Sequence, residues 1–485
     1  MSPQRFDLDE VRAQLAAVDE AQRLRPLGIA VLTDAPGAVG AVPDLVANLC
    51  TPGSHVAVLA AATQIQIRGR DLRQVVEDGL GARFDVRWHV IGPADGRVHA
   101  DEATVVAAAA AAEGAACVLT VGSGTITDIG KASAPASSQL VCVQTATSVN
   151  GYADPFSVLL RKGVKRTTVT RWPDALVIDP DVLNSAPAYL NRAGLGDEVA
   201  MFTASADWYL ASVLDGAAAK NEASSVTLAN AGDDPAWHPA IAWLTRSKGA
   251  GLADLGGCLG TTEGLTRLAG MLTLSGIAMG VAGSTAPASG MEHAISHLLE
   301  MAADARGEPG SLHGAQVGVS SIVAAATWKM VRDRVIERGM PDGLRLPDAD
   351  QCRDQIERAF AWLDPTGAMA AECFAGYAVK LRGLTESTAR LARLRASWPA
   401  HDAVLGDLLA EPADIRQALT NAELPVTFGQ LDSSLSAQIA RWAVAVCGLQ
   451  RQRVGVADLA MMLDAWRDDD IDEILADAGV LTGLR

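Results

Sequence analysis

The stretch Cys117-Val118-Leu119-Thr120-Val121-Gly122-Ser123-Gly124-Thr125-Ile126-Thr127-Asp128 decides the fold. Its first five residues are typical of a buried strand, and the glycines that follow predict a tight turn into a helix. Glycines at such a junction let backbone N–H groups approach a pyrophosphate, whose negative charge the helix N-terminus favours. A Gly-x-Gly turn is weak evidence alone, so a ligand-free turn between strand and helix is the alternative.

Apolar runs on both sides of this stretch repeat the same rhythm. Between residues 28 and 180 they alternate with helix-like segments, which predicts parallel strands joined by crossover helices. From residue 189 onward, Ala/Leu-rich segments with 3.6-residue periodicity dominate, and they predict helices only. We therefore expect an α/β nucleotide-binding domain over residues 1–185 and an all-helical domain over residues 186–485. The predicted strands are 28–33, 55–59, 86–91, 117–121, 140–143 and 175–178.

Composition supports two globular domains that bind a small molecule. The 485 residues are 49% hydrophobic and 20% charged, which is ample for more than one core. A net charge of −17, without any Lys/Arg-rich run, argues against nucleic acid and acidic membrane surfaces as partners. The seven cysteines are scattered and contain no C-x-x-C pair, so we expect reduced thiols.

The N-terminal sequence has no pattern of a signal peptide. Acidic residues stand at positions 7, 9 and 10, where such a peptide has its apolar core. Apolar runs long enough for a bilayer are interrupted by glycines or lie beside charges. We expect a soluble, cytoplasmic protein without membrane insertion.

A second polar stretch, Gln144-Thr145-Ala146-Thr147-Ser148-Val149-Asn150-Gly151, follows the next predicted strand. Ligands of open α/β sheets bind at the carboxyl ends of the strands, so Thr145 and Ser148 are candidate partners of a cofactor. Asn150-Gly151 also fits a simple turn, since both residues accept positive φ.

Three of the eight histidines, His293, His297 and His313, fall within 21 residues. His293 and His297 are four apart in a predicted helix, so both imidazoles leave one face. A turn rich in glycine and proline precedes His313 and can bring it back beside them. Neutral imidazoles with one carboxylate form a common site for a divalent metal, whereas a single histidine is more often a partly buried structural residue.

The sequence Gly194-Leu195-Gly196-Asp197-Glu198 places an acidic pair where we expect a helix to begin, at the joint of the predicted domains. In the first turn, Asp197 would be a partner of the helix dipole. It would also suit a substrate cleft at that joint, where its carboxylate would complete the histidine set.

Taken together, these segments resemble the sn-glycerol-1-phosphate dehydrogenases, within the superfamily of iron-containing alcohol dehydrogenases, glycerol dehydrogenases and dehydroquinate synthases. The resemblance covers residues 28–330, and the order and spacing of its motifs are specific for the superfamily. The motifs are Gly-Ser-Gly-Thr-Ile-Thr-Asp at 122–128, Thr-Ala-Thr-Ser-Val-Asn-Gly-Tyr-Ala at 145–153, Gly-Leu-Gly-Asp at 194–197, Pro-Ala-Ser-Gly-Met-Glu-His-Ala-Ile-Ser-His at 287–297 and His-Gly at 313–314, and Asp207-Trp208 also fits.

The resemblance implies a dehydroquinate synthase-like fold, with an α/β domain that binds NAD or NADP and a helical domain that binds metal and substrate. It implies Asp197, His293 and His313 as ligands of one divalent metal, and His297 as a histidine on the substrate side. Zinc is the first expectation, and iron or nickel suit the same ligands. The implied cofactor-binding residues are Gly122, Ser123, Gly124, Thr125, Ile126, Asp128, Thr145, Ser148 and Asp154.

Three residues depart from the family pattern on the substrate side. Asn150 stands where the family usually has a substrate-contacting Asp, and a neutral amide cannot act as a base. Asp154 replaces a serine that contacts the cofactor, and Ala286 replaces an arginine. Residues 59–63 offer no acid for an adenosine 2′-hydroxyl, which leaves NADP open beside NAD.

The leading hypothesis is a metal-dependent, NAD(P)-linked oxidoreductase, with dihydroxyacetone phosphate and sn-glycerol 1-phosphate as the family default. Asp197, His297 and Asn150 are its candidate catalytic residues. The alternatives are a related dehydrogenase with another substrate, a lyase or cyclase like dehydroquinate synthase that uses NAD transiently, and a non-catalytic protein that keeps the cofactor fold. The resemblance also implies a homo-oligomer, with a dimer as the first expectation.

Overall fold

The structure is a computed structural model and describes residues 7–19, 23–92, 98–161, 164–214, 237–242, 252–341, 344–386, 388–432 and 434–484. The chain forms two compact units. The first unit comprises residues 1–161, 165–198 and 254–281, and the second comprises residues 162–164, 199–253 and 282–485. The predicted domain boundary after residue 185 stays a prediction.

Six parallel strands form the central sheet of the first unit. The strands of the chain are β1 (Val31–Asp34), β2 (His55–Ala61), β3 (Gln66–Ile67), β4 (Arg70–Asp71), β5 (Asp85–Ile91), β6 (Cys117–Gly122), β7 (Gln139–Gln144), β8 (Phe156–Arg161), β9 (Val164–Val169) and β10 (Ala175–Ile178). The sheet order is β1-β10-β7-β6-β2-β5, and β3-β4 and β8-β9 form separate two-stranded sheets.

The four inner strands β10, β7, β6 and β2 are largely apolar runs, because the inner part of a parallel sheet is buried on both faces. Val58, Leu119 and Val141 are fully buried in the core of the first unit. The six predicted strands are confirmed, and their ends differ from the predicted ones by at most three residues.

Helices make up the rest of both units. In chain order they are α1 (Leu8–Val18), α2 (Val42–Leu49), α3 (Leu72–Leu80), α4 (Glu102–Ala111), α5 (Gly124–Ser133), α6 (Pro180–Ser185), α7 (Ala188–Glu198), α8 (Met201–Leu214), α9 (Leu252–Gly256), α10 (Thr262–Ala282), α11 (Met291–Ala305), α12 (His313–Arg338), α13 (Ala349–Phe360), α14 (Ala368–Glu386), α15 (Thr388–Ala396), α16 (Trp398–Leu408), α17 (Pro412–Asn421), α18 (Phe428–Leu431), α19 (Ala437–Val446), α20 (Val456–Met462) and α21 (Asp468–Ala478). Short 3₁₀ turns cover Ala38–Ala41, Ala286–Ala288 and Cys447–Leu449.

The second unit is helical, as the periodicity predicts. No strand follows Ile178 in the part of the chain that the structure describes. Trp208 of α8 and Trp328 of α12 are almost fully buried and anchor the core of this unit. Helices α11 and α12, which carry the three clustered histidines, pack against each other.

Helix α10 is the one described helix that is long and apolar enough to cross a membrane. Of its most apolar window, 83% is buried inside the protein. A core helix of a globular protein has the same length and composition, so α10 is weak evidence for a membrane span.

Candidate functional site

The second unit brings the three predicted histidines together. His293 and His297 leave one face of α11, and His313 is the first residue of α12. The ring centroid of His313 lies 5.3 Å from that of His293 and 5.6 Å from that of His297, and the two rings of α11 are 6.3 Å apart. The prediction that the turn before His313 returns it to this face is confirmed.

Glu292 fixes the imidazole of His293. Its Oε1 lies 3.0 Å from Nδ1 of His293, and its Oε2 accepts a hydrogen bond of 2.7 Å from Thr203 Oγ1. Burial acts to raise the pKa of Glu292, but the net shift is downward and the hydrogen bonds from His293 and Thr203 contribute to it, so the carboxylate is ionised. A carboxylate on Nδ1 favours the tautomer whose Nε2 carries the lone pair, as in carboxylate–histidine–metal arrangements.

A short hydrogen-bond chain fixes His313 in the same way. Ser296 Oγ donates to Gln316 Oε1 at 3.0 Å and lies 3.2 Å from Nδ1 of His313. Since the hydroxyl proton is used on Gln316, the serine oxygen accepts from Nδ1–H. Nε2 of His313 is thereby kept basic and suited to a metal.

Glu300 adds a buried carboxylate that the sequence analysis missed. It is 1% exposed, and its Oε1 lies 3.5 Å from Nδ1 of His313. Ligand atoms of His297, Glu300 and His313 lie within 4.8 Å of one another. An acid three residues after His297 was the available signal, because positions i and i+3 share a helix face.

This donor set fits a divalent metal. Two or three imidazoles and a carboxylate are the ligands that zinc and other borderline divalent ions take in proteins. The partners on Nδ1 of His293 and His313 leave the same nitrogen, Nε2, as the basic one on each ring.

In the first unit, Asp197 lies in the last turn of α7. The interpretation as a first-turn partner of the helix dipole is wrong, because α7 begins at Ala188. A carboxylate at a helix C-terminus opposes the dipole, so this position needs another reason. Oδ2 of Asp197 accepts a hydrogen bond of 3.1 Å from the backbone N–H of Asn150.

The neighbouring Glu198 is kept protonated. It is 2% exposed, and burial, followed by the charge of Asp197, raises the pKa of Glu198 to about 8. At neutral pH the pair therefore carries less than two full negative charges.

Asn150 lies beside Asp197 through its backbone, and its side chain turns to α10. Its Nδ2 donates to Ser275 Oγ at 3.2 Å. A Cβ at Gly276 would lie 2.5 Å from the carbonyl oxygen of Asn150, so only glycine lets α10 pass this close. The structure thus brings Asn150 and Asp197 of the predicted site residues together in the first unit.

The glycine-containing turn has a structural reason as well as a chemical one. A Cβ on Gly122 would lie 2.6 Å from Ile126 Cβ, and one on Gly124 would lie 2.5 Å from Val149 Cγ2. Both glycines are needed for packing whether or not a ligand binds. The first-turn N–H groups of α5, at Gly124 and Thr125, have no partner inside the helix and suit a phosphate.

Thr145 lies at this edge of the sheet, and Ser148 follows in the loop after β7. Gly122 at the end of β6 is in register with Gln144 at the end of β7, and Thr145 N donates to the Gly122 carbonyl at 3.3 Å. The carboxyl ends of parallel strands are where such sheets bind ligands. Their cofactor role, like that of Ser123, Thr125 and Ile126, stays a prediction.

Asp128 and Asp154 are held by a buried lysine that the sequence analysis missed. Nζ of Lys131 lies 2.9 Å from Asp154 Oδ1 and 3.2 Å from Asp128 Oδ1, and it also donates to the carbonyl of Gly151 at 2.6 Å. Burial lowers the pKa of Lys131, but the two carboxylates outweigh it and raise it. Burial raises the pKa of Asp154 to about 6, against the pull of Lys131.

This cluster explains how an acid is accommodated at position 154. Asp154 is 3% exposed and also accepts from the backbone N–H of Phe156 at 2.8 Å. Its oxygen is therefore engaged within the first unit. A direct contact of Asp154 with the cofactor stays a prediction.

Comparison with known proteins identifies the family. Residues 34–187 match the family described as iron-containing alcohol dehydrogenase. Glycerol-1-phosphate dehydrogenase, NAD(P)+, of Aeropyrum pernix is 35% identical over 226 residues, which cover 46% of this chain and 58% of that relative. The match thus spans less than two thirds of the relative's length. The enzyme of the same name from Pyrococcus horikoshii is 31% identical over 294 residues, which cover 60% of this chain and 77% of the relative.

A solved structure shows the same fold. The probable glycerol dehydrogenase of Sinorhizobium meliloti 1021 superposes with a TM-score of 0.58 over 94% of this chain and 99% of its own, at 14% identity. The predicted dehydroquinate synthase-like fold class is confirmed by this likeness. With the parallel sheet and the helical histidine site described above, these matches show that the chain belongs to the glycerol-1-phosphate dehydrogenase family of the iron-containing alcohol dehydrogenases.

Proposed function

We propose that the chain is a metal-dependent, NAD(P)-linked oxidoreductase that interconverts dihydroxyacetone phosphate and sn-glycerol 1-phosphate. The observation that carries the proposal is the cluster of three histidines in the second unit, two of them fixed through Nδ1 by Glu292 and Ser296. A protein that only retained the fold would have no need of this arrangement.

His293 and His313 are the proposed histidine ligands, and Asp197 is the third ligand by the family resemblance. When bound, the divalent metal polarises a ketone oxygen or stabilises an alkoxide. The metal identity is part of the proposal, with zinc first and iron or nickel next. Family membership supports a divalent metal without choosing among them.

The chain's own residues orient the ligands and move the proton. Glu292 and the Ser296–Gln316 pair hold the imidazoles in the tautomer that presents Nε2. His297 is proposed to exchange a proton with the substrate hydroxyl, because an imidazole can both donate and accept a proton and its ring lies 5.6 Å from that of His313.

The cofactor is proposed to lie at the edge of the sheet formed by the ends of β6 and β7. Its pyrophosphate would take the first-turn N–H groups of α5, and Thr145 and Ser148 would donate to it from the neighbouring loop. The nicotinamide supplies the hydride chemistry. A cofactor that is either NAD or NADP is part of the proposal, together with a cytoplasmic homodimer.

The test is a reduction assay with purified protein. NAD or NADP is combined with sn-glycerol 1-phosphate, glycerol 3-phosphate or glycerol, with and without added zinc, nickel or ferrous iron, and reduced nicotinamide is followed by absorbance. Reduction with sn-glycerol 1-phosphate and not with its enantiomer supports the proposal.

Two other outcomes separate the alternatives. A protein that holds metal and nucleotide yet reduces neither cofactor with any of the three compounds acts on another substrate, which the neutral Asn150 and the buried Ala286 favour. A protein that holds neither metal nor nucleotide contradicts the proposed function altogether.

A further inference from the structure

Residues 450–453 form hydrogen bonds to the start of α11, the helix that carries His293 and His297. In the second unit, Arg451 donates through Nη2 to the carbonyl of Ser289 at 3.1 Å and through Nη1 to the carbonyl of Gly290. Arg453 donates through Nη1 to the same Ser289 carbonyl at 2.9 Å. Gln450 Nε2 donates to the carbonyl of Ala294 at 2.6 Å.

The same segment also holds the residues before the helix. Nη2 of Arg453 lies 3.1 Å from Ser284 Oγ and 3.3 Å from Thr285 Oγ1. Both hydroxyls precede the 3₁₀ turn Ala286–Ala288, so Arg453 spans this turn from one side to the other. One guanidinium thereby fixes the approach to α11.

Asp207 joins this segment to α11 from a third direction. Its Oδ2 accepts from the N–H of Met291, the first residue of α11, at 2.8 Å. Its Oδ1 accepts from the N–H of Val456 at 3.0 Å and from Trp328 Nε1 at 3.1 Å. The N-terminal turn of α11 is therefore tied to α8, α12 and the C-terminal segment through one carboxylate.

Close packing makes these bonds specific. A Cβ at Gly290 would lie 2.8 Å from Ala204 Cα, and one at Gly455 would lie 2.8 Å from Asp207 Oδ2. Neither position has room for a side chain. The backbone on both sides of the contact is held at a fixed distance from Asp207.

The charges in this contact compensate one another. Burial and the charge of Arg453 lower the pKa of Arg451 to about 10, so the guanidinium remains charged at neutral pH. Asp207 and Glu292 act in the opposite direction. Asp207 does so with a partial charge at neutral pH, because burial, followed by the charge of Glu292, raises the pKa of Asp207 to about 7. A charged donor makes a stronger hydrogen bond to a backbone carbonyl than a neutral donor does. The two arginines therefore hold the backbone of Ser289 and Gly290 firmly in place.

We propose that Gln450, Arg451, Arg453 and the Val456 N–H form a clamp that positions the first turn of α11, and with it His293, for metal binding. We call these four residues the C-terminal clamp. The arginines are positioning residues, since they contact the backbone beside His293 and not the reacting atoms. The inference rests on the proposed metal-binding function, and it adds residues outside the stretch 28–330 that carries the family resemblance.

Arg451→Lys and Arg453→Lys test the clamp, because each keeps the charge and loses the forked pair of donors. The matched control is Arg416→Lys. Arg416 also donates to two backbone carbonyls of the second unit, those of Val426 at 3.1 Å and Ala478, away from α11. The measurements are the dissociation constant for zinc by chelator competition, the visible spectrum of the cobalt-substituted protein, and hydrogen–deuterium exchange of peptides over residues 288–297.

We expect both clamp variants to bind zinc on the order of tenfold more weakly, as loss of a residue that supports a metal ligand does. The cobalt spectrum should shift and exchange over 288–297 should accelerate. Arg416→Lys should change none of the three. Exchange over 288–297 equal to that of the control would overturn the clamp, and faster exchange with an unchanged zinc constant would overturn its link to the metal.

Failure of the proposed function gives a different result. In that case the unsubstituted protein itself retains no zinc, while the exchange measurement still decides whether the clamp holds the first turn of α11.

Discussion

His313 is the residue that two possible ligand sets share. One is the proposed set, His293 and His313 with Asp197 by the family resemblance, and the other is His297, Glu300 and His313 of the second unit, whose ligand atoms lie within 4.8 Å of one another. His313→Ala should therefore lose zinc whichever set is occupied, whereas Glu300→Gln should lose it only if the second set binds the metal. Zinc per chain after dialysis measures this, and NAD affinity serves as the control for folding. Full zinc retention in His313→Ala would contradict both sets.

Lys131 ion-pairs with both Asp128 and Asp154. Lys131→Met should lower the free energy of unfolding by about 3–5 kcal/mol, because it removes the ammonium group that these two buried carboxylates contact. Lys131→Met combined with Asp154→Ser should recover part of that loss. Urea denaturation measures both variants. Equal stability of the single variant and the unsubstituted protein would show that the cluster contributes nothing.

Cys50 is expected to be a reactive thiol at neutral pH. A hydrogen bond from Cys117 lowers the pKa of Cys50 to about 7 against the opposing effect of burial, while burial raises the pKa of Cys142 to about 11. Thiolate at Cys50 therefore increases as pH rises through about 7, and alkylation should accelerate over that range. Peptide mass spectrometry after iodoacetamide treatment at pH 6, 7 and 8 checks this, with Cys50→Ser as the control. A rate that rises only above pH 8.5 would contradict the lowered pKa.

At the scale of elements, the sheet could be predicted and one helix boundary could not. Strands buried on both faces are continuous apolar runs, which a sequence displays directly. The strands β8 and β9, which form a separate two-stranded sheet, were not predicted. In β9, Lys165, Arg166 and Thr167 interrupt the apolar pattern. Helix α7 was expected to begin near Asp197, since Gly194 and Gly196 are poor helix formers. Packing against the Thr147 backbone overrides that propensity.

In the site, too, features that depend on neighbouring residues could be predicted, whereas contacts between residues distant in sequence could not. His293 and His297 share a face by spacing alone, and the break before His313 indicated a return of the chain. The hydrogen bond from Arg451 to Gly290, the residue before α11, spans 161 residues, and no local sequence pattern indicates such a pairing. The ion pairs of Lys131 likewise depend on tertiary structure, because they form where β8 packs beside α5.

Gly194 tests the packing of α7 on the loop that follows β7. A Cβ there would overlap the Thr147 carbonyl oxygen and lie 2.9 Å from Leu272 Cδ1. Gly194→Ala should cost about 1–3 kcal/mol of stability and weaken metal binding, because Asp197 follows on the next turn of α7. Gly260→Ala is the control, since nothing lies within 4 Å of its added methyl group. The measurements are thermal unfolding and zinc affinity. An unchanged melting temperature and zinc affinity for Gly194→Ala would contradict the prediction and show that α7 can shift without a loss of stability or metal binding.

For the whole molecule, the helices that carry the histidines and the strands that carry the proposed cofactor site should respond to different ligands. Zinc should protect peptides over residues 291–300 and 311–316 of the second unit from hydrogen exchange. NADH should protect peptides over residues 117–128 and 139–148 of the first. Ligands that bind only the folded state stabilise it by about 2.7 kcal/mol at one hundred times the dissociation constant, which is ample for detection. Protection of 291–300 by NADH without metal would contradict this assignment.

The C-terminal clamp also bears on how the protein is made. A ribosome releases His293 and His313 long before it reaches Val456, and translation of the intervening 143 residues takes about 7 to 29 seconds at ordinary rates. During that interval the nascent α11 lacks the guanidinium groups that hold its first turn. Metal loading is therefore expected to follow completion of the chain, and a ribosome-bound chain stalled before residue 450 should capture little zinc.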